Sequence, residues 1–389
     1  MVAMTLRRLL LASLIAVILF VAPAAPVGAW PVAPYPRAAT PIAAPKITAR
    51  AALVQENTAS KALFQKAQET QIPPASTIKL LTAITALTLG QVDDKIMAEK
   101  GDLVGGSTMG LQAGDTLTLG NLLKGLLIPS GNDAATTIAR AEGAKLPDAA
   151  TLGPVRAFVA RMNAVGMERG LTGTKALNPS GLDAVGMVST ARDLERLAEL
   201  VLADPFLAPI VRTQEVTIPS TYGSYPVKNT NELLGTPGVI GVKTGTEDSV
   251  GQNLVLAVSE GGHRLIVVIL GSTDRYADAR ALLTYTRAAW SWVALGDPKA
   301  LPGLARAFDA WGVTTHESKT VVLDSKLVPL LHYTLQLTPP AATKAETPTA
   351  APGLPGARGV IIFLLGDGEL GRMDVYPLVV QPVGTPPPA

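Results

Sequence analysis

The chain contains no cysteine. That absence removes disulfides, a thiolate nucleophile and cysteine-rich zinc sites together. It says little about compartment, because a core of this size holds without covalent staples. Histidine is scarce as well: only His263, His316 and His332 occur in 389 residues, and no His-Glu-x-x-His run is present. A zinc site built by the protein is therefore not expected. Charge of one sign is not in excess either, with 33 Lys+Arg against 31 Asp+Glu and a formal net charge of +2. Polyanion binding shows as a strongly basic face, so nucleic acid is not an expected partner.

Long apolar runs are missing, with one exception at the N-terminus. Arg7 and Arg8 precede an apolar run from Leu9 to about Ala22. That length falls short of the roughly 20 residues a spanning helix needs. Pro23-Ala24-Ala25-Pro26 follows, and Val27-Gly28-Ala29 places small residues at the −3 and −1 positions of a signal-peptidase site. Residues 1–29 have the layout of an export signal. Cleavage after Ala29 is the preferred reading and an uncleaved N-terminal anchor is the alternative. Either way the body of the chain is exported and extracytoplasmic, touching a membrane only through the N-terminus if uncleaved. The opposite end, Val383-Gly384-Thr385-Pro386-Pro387-Pro388-Ala389, is unable to form an amphipathic membrane helix.

What is present divides into segments of different period. Residues 30–47 are rich in Pro and Ala and read as an extended linker. Strand-like runs at 52–55 and 62–65 flank the turn sequence Asn57-Thr58-Ala59-Ser60-Lys61, a hairpin signal. Pro73-Pro74 stops the second strand, and a helix begins at Ala75 that is apolar nearly all round and so should be buried. From about 116 to 205 the pattern is helix and loop, with helices over 119–128, 134–141, 158–170 and 190–202; Asp133 is a candidate cap for the second of these. The period then changes to short strands at 238–246, 253–259 and 264–270, an antiparallel meander, and a helix over 277–294 closes the section. Strands at both ends of the section with helices between them imply an α+β domain over 48–297, one antiparallel sheet covered by helices. Residues 298–389 look β-like and read as a small all-β sandwich, with strands at 320–323, 333–337, 359–365 and 375–380. A mobile Pro/Ala/Thr loop is expected near 339–357. The aromatic residues Phe308, Trp311, Tyr333, Phe363 and Tyr376 are read as core of that domain.

Three short elements carry chemistry. In Ser76-Thr77-Ile78-Lys79 the serine and lysine lie three apart on a helix, hence on one face. Burial of that helix desolvates the ammonium and makes a neutral amine accessible near pH 7. Ser76 is also close to the helix start, where free N–H groups favour a developing oxyanion. Ser130-Gly131-Asn132 falls between two helices, where a hydroxyl and an amide can relay a proton and hold a substrate amide. Lys243-Thr244-Gly245-Thr246 lies on a strand. There a cation beside two hydroxyls suits a carboxylate, and a strand glycine lets a ligand approach the backbone. Taken singly, each of these is an ordinary cap, loop or edge-strand sequence. Together, Ser-x-x-Lys, Ser-x-Asn and Lys-Thr-Gly occur once each, in this order, on helix, loop and strand.

This set resembles the active site shared by penicillin-binding proteins and class A β-lactamases. The likeness runs from about Ala52 to Trp290. Pro73-Pro74-Ala75-Ser76-Thr77, Gly106-Ser107-Thr108-Met109-Gly110-Leu111 with Gly114-Asp115, and Leu122-Leu123-Lys124-Gly125-Leu126-Leu127 are similar to segments of the low-molecular-mass D-alanyl-D-alanine carboxypeptidases. So are Asn178-Pro179-Ser180-Gly181-Leu182-Asp183, Ser189-Thr190-Ala191-Arg192-Asp193 and Asn229-Thr230-Asn231. The resemblance implies a serine-type D-Ala-D-Ala carboxypeptidase acting on peptidoglycan stem peptides through an acyl-enzyme on Ser76, with β-lactam antibiotics as covalent inhibitors. It implies that Lys79 takes the nucleophile's proton, Ser130 passes a proton to the leaving D-alanine and Asn132 orients the acyl-side amide. Lys243 and Thr244, with Gly245 and Thr246 beside them, hold the terminal carboxylate. The N–H groups of Ser76 and Thr246 form the oxyanion hole. No metal and no cofactor is implied. Thr246 stands where the family often has histidine, a change in tuning and not in class.

Other readings are weaker. A Ser-His-Asp hydrolase lacks a Gly-x-Ser-x-Gly elbow, and His263 follows Gly261-Gly262 at what reads as an exposed hairpin turn. A β-lactamase needs a deacylating glutamate, usually with asparagine four residues on. Glu142, Glu168, Glu195, Glu199, Glu215 and Glu232 are followed at that distance by Leu146, Thr172, Glu199, Ala203, Pro219 and Thr236. Penicillin should therefore inhibit the protein instead of being consumed by it. A non-catalytic penicillin-sensing or wall-binding module would not need Lys79, Ser130 and Lys243 as a relay. A DD-endopeptidase uses the same acyl-enzyme and stays open.

Overall fold

The computed structural model describes residues 40–301, 303–337 and 356–378. The expected export signal, most of the 30–47 linker and most of the expected loop at 339–357 lie outside the described residues; 40–49 carry no regular secondary structure.

Strands β1 (Ala51–Glu56) and β2 (Lys61–Lys66) form the expected hairpin. A 3-10 turn (Ala75–Ile78) runs into helix α1 (Lys79–Leu87). A two-stranded ribbon, β3 (Lys95–Met97) and β4 (Thr116–Thr118), precedes the helical block. That block comprises α2 (Leu119–Leu127), α3 (Asn132–Gly143), α4 (Ala149–Leu152), α5 (Pro154–Glu168), α6 (Ala191–Ala203) and α7 (Leu207–Arg212). A hairpin of β5 (Glu215–Ser220) and β6 (Gly223–Lys228) leads to the meander β7 (Val239–Glu247), β8 (Gly251–Glu260) and β9 (His263–Ser272), followed by α8 (Arg275–Ala289).

Five of these strands make one antiparallel sheet of order β2-β1-β9-β8-β7, and β3/β4 and β5/β6 stay separate two-stranded ribbons. Chain ends meet in the five-stranded sheet, because β1 from the start of the section pairs with β9 from its end. Both faces are covered. Leu53, Val255, Ala257, Ile266, Val268 and Leu270 pack toward α1, α2, α3, α5 and α6. Their alternating neighbours Ala52, Val54, Leu254, Leu256, Leu265, Val267 and Ile269 pack toward Ala279, Leu282 and Leu283 of α8. This period-2 split over two apolar cores explains why the strands read as nearly continuous hydrophobic runs. Helix α1 is wrapped on all sides, with Leu80, Leu81, Ala83 and Ala86 all inaccessible, as its composition predicts. The α+β expectation holds.

Beyond α8 the chain is β-rich. Strand β10 (Trp290–Leu295) pairs with β12 (Lys319–Asp324), and β11 (Val313–Thr314), β15 (Gly368–Pro377), β14 (Gly359–Leu365) and β13 (Leu331–Leu337) form a curled four-stranded sheet in that order. Both sheets contribute to one core, through Val293, Leu295 and Leu323 on one side and Ile361, Phe363, Met373 and Val375 on the other. Helix α9 (Leu304–Trp311), not anticipated, adds Leu304 and Phe308 to it.

Four local expectations need correction. Residues 290–294 are strand, not helix: Trp290, Trp292 and Val293 suit a pleated surface, and pairing with β12 decides the matter. Asp133 does not cap a helix over 134–141; α3 starts at Asn132, and the carboxylate accepts the backbone N–H groups of Met109, Gly110 and Leu111. His263 is at the expected turn but is half-buried, with its ring stacked on Trp292 at 5.3 Å. Trp311 is not core, being 53% exposed.

Candidate active site

Ser76 lies in the 3-10 turn that enters α1, and the residue before it, Ala75, has φ +49°. A left-handed conformation at a residue with a Cβ costs about 1–3 kcal/mol and persists only where neighbours fix it. Here they do. Asn253 on β8 donates to the Pro73 carbonyl at 3.0 Å while accepting from Gly271 N at 2.8 Å. Gly181, with φ +88°, packs so close that a Cβ there would lie 2.1 Å from the Ala75 carbonyl oxygen. On the other side, a Cβ on Gly245 of β7 would lie 3.1 Å from the Ser76 amide nitrogen. Glycine at both positions is what lets the 180 loop and β7 close on the nucleophile.

Lys79 is one turn further along, fully buried. Its Nζ lies 2.7 Å from Ser76 Oγ and 2.7 Å from Asn132 Oδ1, and it also donates to the Ser180 carbonyl. Burial holds its pKa well below the ordinary lysine range. The charge of Lys243 adds to that depression, and Glu247 and Asp133 offset part of it. The partners fit a neutral amine. Asn132 Oδ1 and the Ser180 carbonyl only accept, so they take the two N–H bonds of an –NH2 group. The remaining lone pair faces Ser76 Oγ, whose hydroxyl can donate to it. All three contacts survive loss of the lysine proton.

Asn132 heads α3. While its Oδ1 engages Lys79, its Nδ2 donates to the Gly105 carbonyl at 2.7 Å, which fixes the amide's orientation and leaves one N–H for a ligand. Ser130, two residues earlier between α2 and α3, has φ +65° and is 3% exposed, and its hydroxyl has no hydrogen-bond partner. A buried hydroxyl left unpaired costs free energy unless a ligand completes it.

Strand β7 supplies the third group. Lys243 is 1% exposed, and its Nζ donates to the Thr244 carbonyl at 2.9 Å. Burial, then the charge of Arg275, lowers its pKa to about 7. The Thr244 hydroxyl shares a 2.6 Å hydrogen bond with that of Thr230. Together these elements enclose a cleft of about 440 Å³ lined by Ser76, Ser107, Ser130, Thr230, Thr244, Gly245, Thr246 and Arg275 among others. Lys79, Asn132 and Lys243 are buried beside that lining and do not form it.

All eight residues singled out in the sequence thus converge on one cleft or the layer directly behind it. Arg275 was missed. It opens α8, donates from Nη1 to the carbonyls of Gly245 and Asn253 at 2.8 and 3.0 Å, and from Nη2 to Thr246 Oγ1. Gln252 accepts from its Nε at 3.1 Å. The Ser180 carbonyl was also missed, although its segment, Asn178-Pro179-Ser180-Gly181, is part of the family likeness. Among the described residues no group of three or more His, Asp and Glu side chains is arranged to hold a metal ion, and no helix is long and apolar enough to cross a membrane.

The chain is similar to known proteins over most of its α+β section. A model of the D-alanyl-D-alanine carboxypeptidase family matches residues 38–274. The chain is 35% identical over 226 residues to D-alanyl-D-alanine carboxypeptidase DacB2 of Mycobacterium tuberculosis, covering 57% of this chain and 74% of that protein. It is 32% identical over 259 residues to D-alanyl-D-alanine carboxypeptidase DacC of Escherichia coli, covering 62% of each. The chain therefore spans about three-fifths of the E. coli relative. The crystal structure of the Streptomyces K15 DD-transpeptidase superposes with a TM-score of 0.59 at 31% identity, over 64% of this chain and 100% of that one. The D-alanyl-D-alanine carboxypeptidase DacD of Francisella tularensis, at 21% identity and a TM-score of 0.63, shares the fold over 89% of this chain and 96% of its own. The protein belongs to the D-alanyl-D-alanine carboxypeptidase family of serine peptidases.

Proposed function

We propose that the protein is a serine-type D-Ala-D-Ala carboxypeptidase that removes the terminal D-alanine from peptidoglycan stem pentapeptides in the extracytoplasmic space. The observation that carries this reading is the Lys79 amine, buried, depressed in pKa and 2.7 Å from Ser76 Oγ. Neutral Lys79 accepts the Ser76 proton as Oγ attacks the carbonyl between the two D-alanines. The oxyanion that forms is held by the N–H groups of Ser76 and Thr246. Ser130, unpaired in the free protein, delivers a proton to the departing D-alanine nitrogen and is re-protonated by the proton that Lys79 took from Ser76, so that Lys79 is neutral again. Asn132 holds the acyl-side amide. Water then hydrolyses the ester and restores Ser76.

The terminal carboxylate is assigned to Thr244, Thr246 and Arg275 on the cleft wall. Lys243 attracts it from behind Thr244 through the low-dielectric interior. A β-lactam presents the same carboxylate and a strained amide, so it acylates Ser76 and is released slowly for want of a deacylating glutamate.

Two depressed lysines set the pH dependence. Neutral Lys79 is the active form, so kcat/KM rises as its proton is lost on the acid side. Charged Lys243 is the form that attracts the carboxylate, so kcat/KM falls as pH rises through about 7. Once bound, the carboxylate favours the charged lysine and moves that limb upward in kcat. Release of D-alanine from a pentapeptide ending in D-Ala-D-Ala, followed by mass spectrometry from pH 5 to 10, checks both points. The expected result is release that benzylpenicillin blocks, with the alkaline limb lower in kcat/KM than in kcat. Absence of release, with cross-linked peptide cleaved instead, would replace this reading by a DD-endopeptidase; coincident limbs would remove Lys243 from carboxylate binding.

A further inference from the structure

We infer that Tyr276 is a positioning residue that holds together the groups receiving the substrate's terminal carboxylate, and so sets the preference for ligands with a free carboxylate. The inference rests on the proposed carboxylate site and extends it. Tyr276 is half-buried, follows Arg275 in the first turn of α8, and lines the cleft. Asp274 fixes its backbone by capping that helix, accepting from Tyr276 N at 3.1 Å.

Two separate contacts converge on its side chain. The Arg275 guanidinium carbon lies 5.7 Å from the centre of its ring, within range of a cation–π interaction. At the far end the phenol hydroxyl donates to the Thr230 carbonyl at 3.1 Å and accepts from the Glu232 N–H at 3.1 Å. That hydroxyl therefore pins the segment between β6 and β7 to the start of α8. Thr230 passes the constraint on, since its own hydroxyl is hydrogen-bonded to Thr244 at 2.6 Å. Thr246 depends on the same residue indirectly, through Arg275 Nη2. Each of the three groups assigned to the carboxylate thus leans on Tyr276, by its ring or by its hydroxyl. Ser76, Lys79, Ser130 and Asn132 make no hydrogen bond with the Tyr276 side chain.

The two contacts separate by substitution. Tyr276→Phe keeps the ring under the guanidinium and frees the 230–232 segment. Tyr276→Leu removes both supports. The probes are benzylpenicillin and its methyl ester, which differ only in the carboxylate, and the readout is the second-order rate at which each acylates the full-length protein. The acid should react about threefold more slowly with Tyr276→Phe and about tenfold more slowly with Tyr276→Leu, while the ester rate falls clearly less in each variant. With the pentapeptide, KM should rise more than kcat falls. An equal loss for acid and ester would show a general disturbance of the site, and unchanged rates for both would show no role; either overturns the inference. If wild-type protein forms the penicilloyl adduct but releases no D-alanine, the carboxypeptidase reading fails while the acid-to-ester comparison still decides on Tyr276.

Discussion

Ser76→Ala abolishes pentapeptide turnover and covalent labelling by fluorescent penicillin, lowering kcat by about ten-thousandfold or more. The loss is large because the nucleophile has no substitute within reach. Ser130 also lines the cleft, but the Lys79 amine is bonded to Ser76, Asn132 and the Ser180 carbonyl and makes no contact with Ser130. Stability changes little, since only one hydroxyl at a partly exposed position is removed and Lys79 keeps both acceptor partners. Kinetics and labelling on variant protein with an unchanged thermal transition check this. Retained labelling would show that another serine carries the acyl group. Ser130→Ala is the useful comparison: labelling slows but persists, because only proton delivery is impaired.

Lys79→Met is the second large effect. Methionine approximates the volume of the lysine stem, so the buried helix stays packed. What disappears is the base. Acylation by benzylpenicillin and turnover of the pentapeptide should both fall by about a hundredfold to ten-thousandfold, the range of general base catalysis. The acid limb of kcat/KM, which in the parent protein reports Lys79 losing its proton, should vanish. That change of profile distinguishes loss of the base from a structural disturbance, which would lower the curve without altering its shape. Stability is expected to respond weakly, because two opposing effects meet at one position. Asn132 Oδ1 and the Ser180 carbonyl lose a donor, while a buried amine no longer has to be desolvated. An acid limb that survives in the variant would assign the general base elsewhere.

The sequence made the site legible where residue type itself carries the chemistry. Ser76, Lys79, Ser130, Asn132 and Lys243 belong to motifs whose spacing follows from one helical turn, one tight turn and one strand. The five-stranded sheet was legible for a similar reason: β1, β8 and β9 are nearly continuous apolar runs of strand length, and both cores accept them. Other features depend on partners far along the chain. Trp290 and Trp292 follow α8 with no stop signal between them, and pairing with β12 shows where the helix gives way to strand. Arg275 has no motif, because its acceptors are main-chain oxygens of β7 and β8 placed by sheet register. The Ser180 carbonyl leaves no trace in residue type at all, though it takes one of the three Lys79 contacts. Helix α9 is short, and its stability comes from the core it shares with both C-terminal sheets.

The claim on which everything else depends is that the acyl group is carried by Ser76 and activated by the buried Lys79. Its most direct test is to react full-length protein with benzylpenicillin, digest it, and locate the penicilloyl group by tandem mass spectrometry. The account predicts one adduct per chain, on Ser76, formed at a rate that falls on the acid side as Lys79 takes up its proton. An adduct on Ser107, Ser130 or Ser180, or none on a protein that nevertheless cleaves D-Ala-D-Ala, would contradict it.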